Sequence, residues 1–313
     1  MTKEVGIYIY DRFQLLDASG PMTVFELAER FVPDSYKLCV ISKMGGNIRS
    51  SSGLIVDSVA ANATPLPDTV VIVGGTGTEE ATQCADTMSY LRTCAVHVRR
   101  LCSVCSGAFL LASAGLLEGR RATTHWRLAS HLQNLHPEIR VESDRIYVRD
   151  GMIWTSGGVS AGIDMALSLI AEDLGEGIAR RVAQEMVVYY RRPGGQSQFS
   201  VLAKLAGEDN PFTSLLEWMR SNLSQPLTVE QLADHAAMSP RNFSRAFARS
   251  TGVSPAKAVE RLRLEAARER VESSREPIEY IAAATGFHDP ERMRRAFIRT
   301  FGQPPQALRR ASR

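Results

Sequence analysis

The stretch SVCSGAFLLASAG, Ser103–Gly115, has the pattern of a buried strand, a sharp turn at Cys105 and a helix that stops at Gly115. A tight turn between a strand and a helix holds the side chain at its apex at the mouth of a pocket. Gly107 leaves room for the turn, and the first N–H groups of the helix give that end a partial positive charge. The stretch therefore predicts a site at the carboxyl end of a strand.

Strand and helix patterns alternate on both sides of this stretch. The predicted strands are KEVGIYIY, YKLCVIS, GLIVDSV, TVVIVGG, RLCSVC and GMIWTSGG. The predicted helices are GPMTVFELAER, with Pro21 in its first turn, GAFLLASAG, and SAGIDMALSLIAEDLG, which Gly175 closes. This alternation predicts an α/β fold, a flavodoxin-like parallel sheet with helices on both faces. The loops Gly74–Gly77, Cys105–Gly107 and Gly157–Gly158 should then meet beyond the strand ends.

Length and composition limit the class of protein. The chain has 313 residues, which favours about two domains, and 44% hydrophobic residues, enough for packed cores. No apolar run approaches the roughly 18 residues of a membrane span, and no cleavable leader is evident. We therefore expect a cytoplasmic protein without a membrane partner.

Five cysteines favour a reducing compartment over a disulfide scaffold. Cys102 and Cys105 form a C-x-x-C pattern, but residues three apart on a strand point to opposite faces. No second ligand pair accompanies them in the sequence. We expect Cys102 to be a core residue, and we predict neither a metal nor a cofactor.

Charge is distributed unevenly. Residues 225–313 contain 16 basic and 10 acidic residues, whereas the rest of the chain contains 21 basic and 24 acidic ones. A basic last third on a mildly acidic body suggests a polyanionic partner for that third.

The basic region contains an internal repeat. SPRNFSRAFARSTGVSP, from Ser239, aligns with DPERMRRAFIRTFGQPP, from Asp289. Each copy begins with a capping residue followed by proline, and each ends at a glycine suited to a helix C-cap. A short helix precedes each copy, and Thr228 with Gln231 forms a capping-box pattern before the first. The repeat predicts an all-α domain of two helix-turn-helix units joined by the helix SPAKAVERLRLEAARERVESS.

The second helix of each unit should expose a polar face. Helical spacing turns Phe243, Ala246 and Phe247 inward, as it does Met293, Ala296 and Phe297 in the second copy. The candidate DNA-binding residues on the outer face are Arg241, Asn242, Ser244, Arg245, Glu291, Arg292, Arg294 and Arg295. Arginine can bind guanine in the major groove. A merely solvated face is the alternative for the set, and bracing or phosphate contact is the alternative for Arg245 and Arg295.

Two long segments of this region carry a family resemblance. LTVEQLADHAAMSPRNFSRAFARSTGVSPAKAVERLRLEAA and PIEYIAAATGFHDPERMRRAFIRTFGQPP resemble the DNA-binding domain of AraC/XylS-family transcription regulators. The resemblance implies double-stranded promoter DNA and RNA polymerase as partners. It also assigns DNA contact to the outer face of both helices. Met293 stands where the family more often has phenylalanine, and its apolar role is kept.

The first 190 residues resemble the PfpI / isocyanide hydratase-like superfamily, which has a class I glutamine amidotransferase-like fold. The resemblance rests on LLDASGPMTVFE, VGGTG, SVCSGAFLLASAGLLEG and TSGGVSAGIDMALSL. It makes Cys105 the elbow cysteine and Asp17 the acidic residue of the isocyanide hydratase branch. Ser106 stands where the protease-like branch has histidine. The GGTG loop is no dinucleotide fingerprint, because Glu80 occupies the position of the third glycine.

These departures favour a ligand pocket over a catalytic site. A nucleophile needs a base or a lowered pKa, and an ionised Asp17 would raise the pKa of the Cys105 thiol. His125 is a second candidate base, although a structural or ligand-packing role beside Trp126 is favoured. The candidate ligand-binding residues are Asp17, Gly74, Gly75, Cys105, Ser106, His125 and Trp126.

A zwitterion would suit these groups. Asp17 would take an ammonium or guanidinium, loop N–H groups would take a carboxylate, and Trp126 would offer a cation–π face. We therefore expect a small amino-acid-like or quaternary-amine effector.

The order of the two domains resembles AraC-family regulators often called GlxA-like. We predict a sensing and dimerising domain at residues 1–192, a linker at 193–210 and a DNA-binding domain at 211–313. The expected protein is a homodimeric, ligand-responsive transcription regulator without catalytic residues. Activation is the more common habit of the family, and repression stays open. The alternative is a cysteine-dependent hydrolase or hydratase with an attached DNA-binding module.

Overall fold

In the computed structural model, the strands of the first 156 residues form a mainly parallel sheet. The structure describes residues 2–190, 196 and 210–311, with only the backbone of Ser273 and Ala311. The strands are β1 (Lys3–Tyr8), β2 (Tyr36–Ser42), β3 (Gly46–Arg49), β4 (Ile55–Ala60), β5 (Thr69–Ile72), β6 (Arg100–Val104), β7 (Arg121–Ala122), β8 (Arg140–Val141), β9 (Tyr147–Asp150) and β10 (Ile153–Ser156). Residues 2–190 thus form a sheet in the order β3-β4-β2-β1-β5-β6-β10-β9, and β7 pairs with β8 separately.

The centre of the main sheet is parallel. Strand β1 pairs in parallel with β2 and β5, and β6 pairs in parallel with β5 and β10. Only the two edge strands are antiparallel to their neighbours, β3 to β4 and β9 to β10. Every residue of β5, β6 and β10 is buried, as expected for strands covered on both faces. The predicted α/β, flavodoxin-like fold is confirmed.

Helices cover both faces of this sheet. They are α1 (Leu15–Phe31), α2 (Thr78–Thr82), α3 (Ala85–His97), α4 (Gly107–Ser113), α5 (Ala129–Leu135), α6 (Ala161–Leu174) and α7 (Glu176–Glu185). Helices α1, α6 and α7 bury their apolar sides in one core with Val104 and Trp154. Helices α3 and α4 pack in a second core with Ile72 and Leu101. The α4 elbow therefore lies where the two cores enclose the end of β6.

One local prediction was wrong, and several elements were not predicted. Pro21 was expected in the first turn of its helix, but α1 begins at Leu15 and Pro21 lies inside it. The start is fixed by a tertiary contact, because the Gln14 N–H donates to the Gly74 carbonyl at 2.7 Å. The sequence patterns also did not predict β3, β7, β8, β9, α2, α3 and α5.

Cys102 is a core residue, as predicted. It has no exposed surface and lies in β6 opposite Trp154 of β10. All five cysteines carry free thiols. Among the described residues, no helix is long and apolar enough to cross a membrane.

The described residues 210–311 form a helical region. Its elements are α8 (Thr213–Ser221), α9 (Val229–His235), α10 (Pro240–Thr251), α11 (Pro255–Ser273), α12 (Ile278–Ala284), α13 (Pro290–Phe301) and α14 (Pro305–Ala311). Phe243 and Phe247 lie in one core with α8, and Met293 and Phe297 lie in another with Leu308. The two predicted helix-turn-helix units are therefore α9–α10 and α12–α13, each with its own core.

The chain divides into two compact units, residues 1–191 and 192–313. The predicted linker, 193–210, lies outside the described residues except for positions 196 and 210. The boundaries 1–192, 193–210 and 211–313 stay predictions.

Candidate functional site

Cys105 lies at a strained turn between β6 and α4. Its φ is 58°, a left-handed conformation that a residue with a side chain rarely adopts. The turn has room for this conformation because the neighbouring positions 74 and 158 are glycines. A Cβ added at Gly158 would lie 2.7 Å from the Cys105 Sγ, and one added at Gly74 would lie 2.6 Å from the Ser106 nitrogen. The elbow is thus built from three segments that approach each other closely.

Asp17 joins these segments from inside. Its side chain has no exposed surface. Its carboxylate accepts the Gly74 N–H at 3.1 Å and the Val159 N–H at 2.8 Å. Burial raises the Asp17 pKa to about 6, although both N–H groups and the Cys105 thiol favour the ionised form. Asp17 therefore serves to hold the loops after β5 and β10 against the elbow.

The Cys105 side chain is a thiol, not a thiolate, at neutral pH. Burial and the nearby Asp17 carboxylate raise its pKa to about 12, against a smaller opposing effect of the Ser106 backbone N–H. A thiol in this state is a weak nucleophile because the thiolate is the reactive form.

Ser106 is engaged with the GGTG loop. Its hydroxyl accepts the Gly75 N–H at 3.0 Å and lies 2.8 Å from the Thr78 hydroxyl. Thr78 in turn contacts the Tyr10 hydroxyl at 2.9 Å. The N–H groups of Gly74 and Gly75 are therefore already bonded within the protein, to Asp17 and Ser106.

Sequence reasoning missed several residues of the elbow. Val159, with φ of 49°, is a β-branched residue in the left-handed region, where strain often marks functional sites. The Thr124 hydroxyl donates to the Cys105 carbonyl at 2.8 Å. No local sequence pattern predicts the bond between Thr124 and Cys105, because the two residues are 19 positions apart. The only sequence feature near Thr124 is the candidate residue His125, which follows it directly.

His125 and Trp126 follow Thr124, and both are half-buried. Their rings lie 5.7 Å apart, and the Arg127 guanidinium lies 6.0 Å from the Trp126 ring centroid. Burial and Arg127 lower the His125 pKa, so the imidazole is neutral at pH 7. Within the described residues, the structure records no hydrogen bond between His125 and Cys105. The structure thus places His125 beside Trp126, whereas the acid–base group next to Cys105 is the carboxylate of Asp17.

The helix-turn-helix units have the predicted ends, with one exception. Thr228 and Gln231 form the capping box before α9, and Gly252 and Gly302 end α10 and α13 in the left-handed conformation. Ser239 occupies the N-cap position of α10, but its side chain makes no capping hydrogen bond. The equivalent Asp289 accepts the Glu291 N–H at 2.9 Å.

Both second helices turn their aromatic side inward and their basic side to solvent. Phe243, Phe247, Met293, Ala296 and Phe297 are buried, whereas Ala246 is half-buried. Ser244 is half-buried, and the exposed candidates are Arg241, Asn242, Arg245, Glu291, Arg292, Arg294 and Arg295. The predicted direction of both faces is confirmed.

The two faces differ in their charge pairing. Arg294 donates to both carboxylate oxygens of Glu291, at 2.8 and 2.9 Å. In the first unit, Arg241 and Arg245 make no hydrogen bond or ion pair with other described residues. The first face thus presents free guanidinium groups, and the second presents an arginine held by a carboxylate.

A model of the DJ-1/PfpI family matches residues 3–172, more than half of the chain. The chain belongs to the DJ-1/PfpI family. A helix-turn-helix domain model also matches residues 232–311 of this DJ-1/PfpI protein. Both resemblances expected from the sequence are therefore confirmed.

Curated proteins are similar to this chain along most or part of its length. The protein is 34% identical over 280 residues to the HTH-type transcriptional regulator GlxA of Rhizobium meliloti (strain 1021), covering 88% of this chain and 86% of that one. It is 27% identical over 308 residues to the HTH-type transcriptional regulator GbdR of Pseudomonas aeruginosa (strain UCBPP-PA14), covering 97% and 83%. It is also 35% identical over 187 residues to the isonitrile hydratase of Pseudomonas putida, covering 59% of this chain and 78% of that enzyme.

Solved structures match the fold. A ThiJ/PfpI family protein from Pseudomonas syringae superposes with a TM-score of 0.54 and 22% identity, covering 84% of this chain and 90% of that one. An AraC family transcriptional regulator from Pseudomonas putida gives a TM-score of 0.52 and 21% identity, covering 59% and 99%.

Proposed function

We propose that this protein is a transcription regulator that binds double-stranded promoter DNA and responds to a small effector through its DJ-1/PfpI domain. One observation carries the proposal: two helix-turn-helix units each bury an apolar face and expose basic residues, with Arg245 and Arg295 at equivalent positions. Such helices fit the major groove, where arginine reads guanine. The similarity to GlxA along most of both chains supports this function.

The experiment is an in vitro selection of double-stranded DNA by the purified full chain, followed by footprinting on the selected duplexes. The proposal expects two protected half-motifs and contacts at both. Recovery of no sequence preference from the random pool would overturn it. An exposed arginine outside both units, Arg220 on α8, gives the control variant Arg220→Ala, which should select the same motifs.

For the effector, we propose a site at the elbow, with Cys105, His125 and Trp126 as the half-buried residues it meets. The half-buried Trp126 ring supports a cationic group there, because an aromatic face attracts cations. Asp17, Gly74, Gly75 and Ser106 would act by holding the loops, since their polar groups already bond within the protein. The proposed class is an amino-acid-like or quaternary-amine metabolite.

Titration calorimetry with a zwitterionic amine and its uncharged isostere tests this class. We expect heat with the amine, little with the isostere, and loss of the amine signal in Trp126→Ala. Equal heats for both ligands would contradict a cation-selective site.

A second candidate function is a cysteine-dependent hydratase or hydrolase. The contact between Asp17 and Cys105, together with the identity to isonitrile hydratase, favours it. The raised pKa of Cys105 and the absence of a hydrogen bond to His125 among the described residues favour a regulator without catalysis. Turnover that Cys105→Ala abolishes would establish the enzyme.

The regulator would further act as a cytoplasmic homodimer that contacts RNA polymerase. Paired half-sites are the usual target of dimeric helix-turn-helix proteins. Light scattering of the full chain tests the dimer, and transcription with purified polymerase, with and without effector, tests activation.

A further inference from the structure

Helix α11 belongs to the cores of both helix-turn-helix units. Ala258, Val259 and Leu262 lie in the core of the first unit. Leu264, Ala267 and Val271 lie in the core of the second. Arg263 therefore stands at the point along the helix where one core ends and the other begins.

The Arg263 side chain is buried, and its hydrogen bonds to described residues all go to backbone carbonyls. It is 8% exposed. Its Nε donates to the Leu223 carbonyl at 3.1 Å, and its Nη2 donates to the carbonyls of Gln225 and Pro226 at 2.6 and 3.3 Å. No carboxylate pairs with it among the described residues. Because a buried guanidinium is costly without full hydrogen bonding, these three carbonyls fix its position.

The acceptors belong to the first unit. Residues 223–226 connect α8 to the capping residue Thr228 of α9. Leu223 and Leu227 lie in the core of that unit. Arg263 thus anchors the shared helix to the entry of the first helix-turn-helix.

The second helix-turn-helix unit approaches Arg263 through Gly286, which lies in the turn between α12 and α13. Its φ is 77°, and an added Cβ would clash with the Leu223 carbonyl and lie 2.7 Å from the Arg263 Nε. Asp289, the N-cap of α13, follows three residues later. A single guanidinium thus touches the loop that enters the first unit and the turn that aims the second recognition helix.

We infer that Arg263 is a positioning residue that fixes the distance and rotation between the recognition helices α10 and α13, and so the spacing of the half-motifs that one chain accepts. The inference rests on the proposed function for its consequence at DNA. One base pair of added spacing moves a half-motif by about 3.4 Å and about 35° around the duplex. A loosened junction would tolerate such changes, whereas a fixed one would not.

A distance measurement tests the junction without DNA. Ser250 and Thr300 are equivalent exposed positions in the last turns of α10 and α13. Spin labels attached there through a noncanonical amino acid, in the full chain, report the separation of the two helices by pulsed electron resonance. We expect a narrow distance distribution in the parent protein and a clearly broader or shifted one in Arg263→Met. An unchanged distribution in a folded Arg263→Met protein would overturn the inference.

The variants separate junction geometry from charge and folding. Arg261 is exposed on the same helix, so Arg261→Met removes the same charge without touching the junction and should leave the distribution unchanged. Arg263→Lys keeps the charge but loses the planar fork, and we expect intermediate broadening. If Arg263→Met fails to fold, the Arg263→Lys result decides: a parent-like distribution overturns the inference.

The DNA readout uses duplexes selected by the parent protein, with the two half-motifs moved apart by one or two base pairs. Such a change should weaken parent binding by about tenfold or more, the size of effect that a mismatched base pair produces. Arg263→Met should flatten this spacing profile, and Arg261→Met should keep it. A parent protein that binds no DNA would refute the proposed function alone, whereas an Arg263→Met protein with the parent's spacing profile would refute the inference alone.

Discussion

The Asp17 carboxylate accepts the N–H of Val159 at 2.8 Å, across 142 positions of sequence, and Val159 itself has a φ of 49°. This bond holds a strained residue of the loop after β10 against the start of α1. The other carboxylate oxygen holds Gly74. The elbow of Cys105 is therefore stabilised by a buried acid rather than by the cysteine itself.

The buried acid predicts a pH effect on stability. Burial raises the Asp17 pKa in the folded state to about 6, above its ordinary value near 3.8. The folded state thus binds this proton more tightly than the unfolded state, so the contribution of Asp17 to stability falls as pH rises from about 4 to about 6. The fall is at most about 3 kcal/mol.

Asp17→Asn isolates this contribution because asparagine does not titrate. We expect urea unfolding to show that the free energy of unfolding of the parent falls, relative to that of Asp17→Asn, as the pH rises from 4 to 6. Asp57→Asn, at an exposed position of β4, is the matched control for the loss of one carboxylate. Curves for the parent and Asp17→Asn that stay parallel between pH 4 and pH 6 would mean that burial leaves the Asp17 pKa at its ordinary value.

The sequence predicted those parts of the fold and site that local patterns encode. The elbow at Cys105, the burial of Cys102 and the capping box at Thr228 each depend on residues close in the chain. Pro21 was misplaced because a contact between Gln14 and Gly74 sets the start of α1.

Other features of the site depend on tertiary contacts. Asp17 was expected to face a ligand, yet its carboxylate bonds to loops far along the chain, and no periodicity reveals such a contact. Likewise, nothing in the sequence around Arg263 indicates that its side chain bonds to the Leu223 carbonyl, 40 positions away.

Crowding at the elbow predicts the effect of adding one methyl group. Gly158 has φ of 91°, and a Cβ there would meet Cys105, whereas Gly53 has φ of 89° and nothing within 4 Å of its Cβ position. Gly53→Ala should cost about 1–2 kcal/mol from backbone strain alone. Gly158→Ala should cost a further 1–3 kcal/mol, roughly, from overpacking. Denaturant unfolding measures both free energies of unfolding. Equal losses for the two variants would mean that the elbow can accommodate the added methyl group without overpacking.

Thiol reactivity should rank Cys84 ahead of Cys105. Burial tends to raise the Cys84 pKa, but hydrogen bonds from Thr87 and the nearby Lys43 lower it overall. The Cys105 pKa is raised to about 12. Alkylation with iodoacetamide at pH 8, followed by peptide mass spectrometry, should label Cys84 well before Cys105. Faster labelling of Cys105 would reveal a thiolate and strengthen the enzymatic alternative.

Helix capping predicts different effects for two similar residues. The Thr228 side chain accepts the Gln231 N–H as part of a capping box, but the Ser239 side chain caps nothing. Thr228→Ala should therefore lower the free energy of unfolding by about 1 kcal/mol, and Ser239→Ala by much less. Thermal unfolding of the full chain, followed by circular dichroism at 222 nm, compares the two variants. A larger loss for Ser239→Ala would contradict the assigned caps.

The central claim is that the two exposed helix faces read DNA, and Arg245 of the first face tests it most directly. Arg245 has no partner among the described residues, so Arg245→Ala changes its contact with DNA and little else. On a selected duplex, Arg245→Ala should weaken binding by about 1–3 kcal/mol and relax preference at one base position. Arg220→Ala on α8 should bind like the parent.

The measurement is the affinity of the full chain for the selected duplex and for single-base variants of it, by fluorescence anisotropy over a range of salt. A loss confined to one base position, with the salt slope kept, is the predicted result. A uniform loss with a shallower slope would assign Arg245 to a phosphate instead. Parent and Arg245→Ala proteins that bind every duplex with equal affinity would contradict the account.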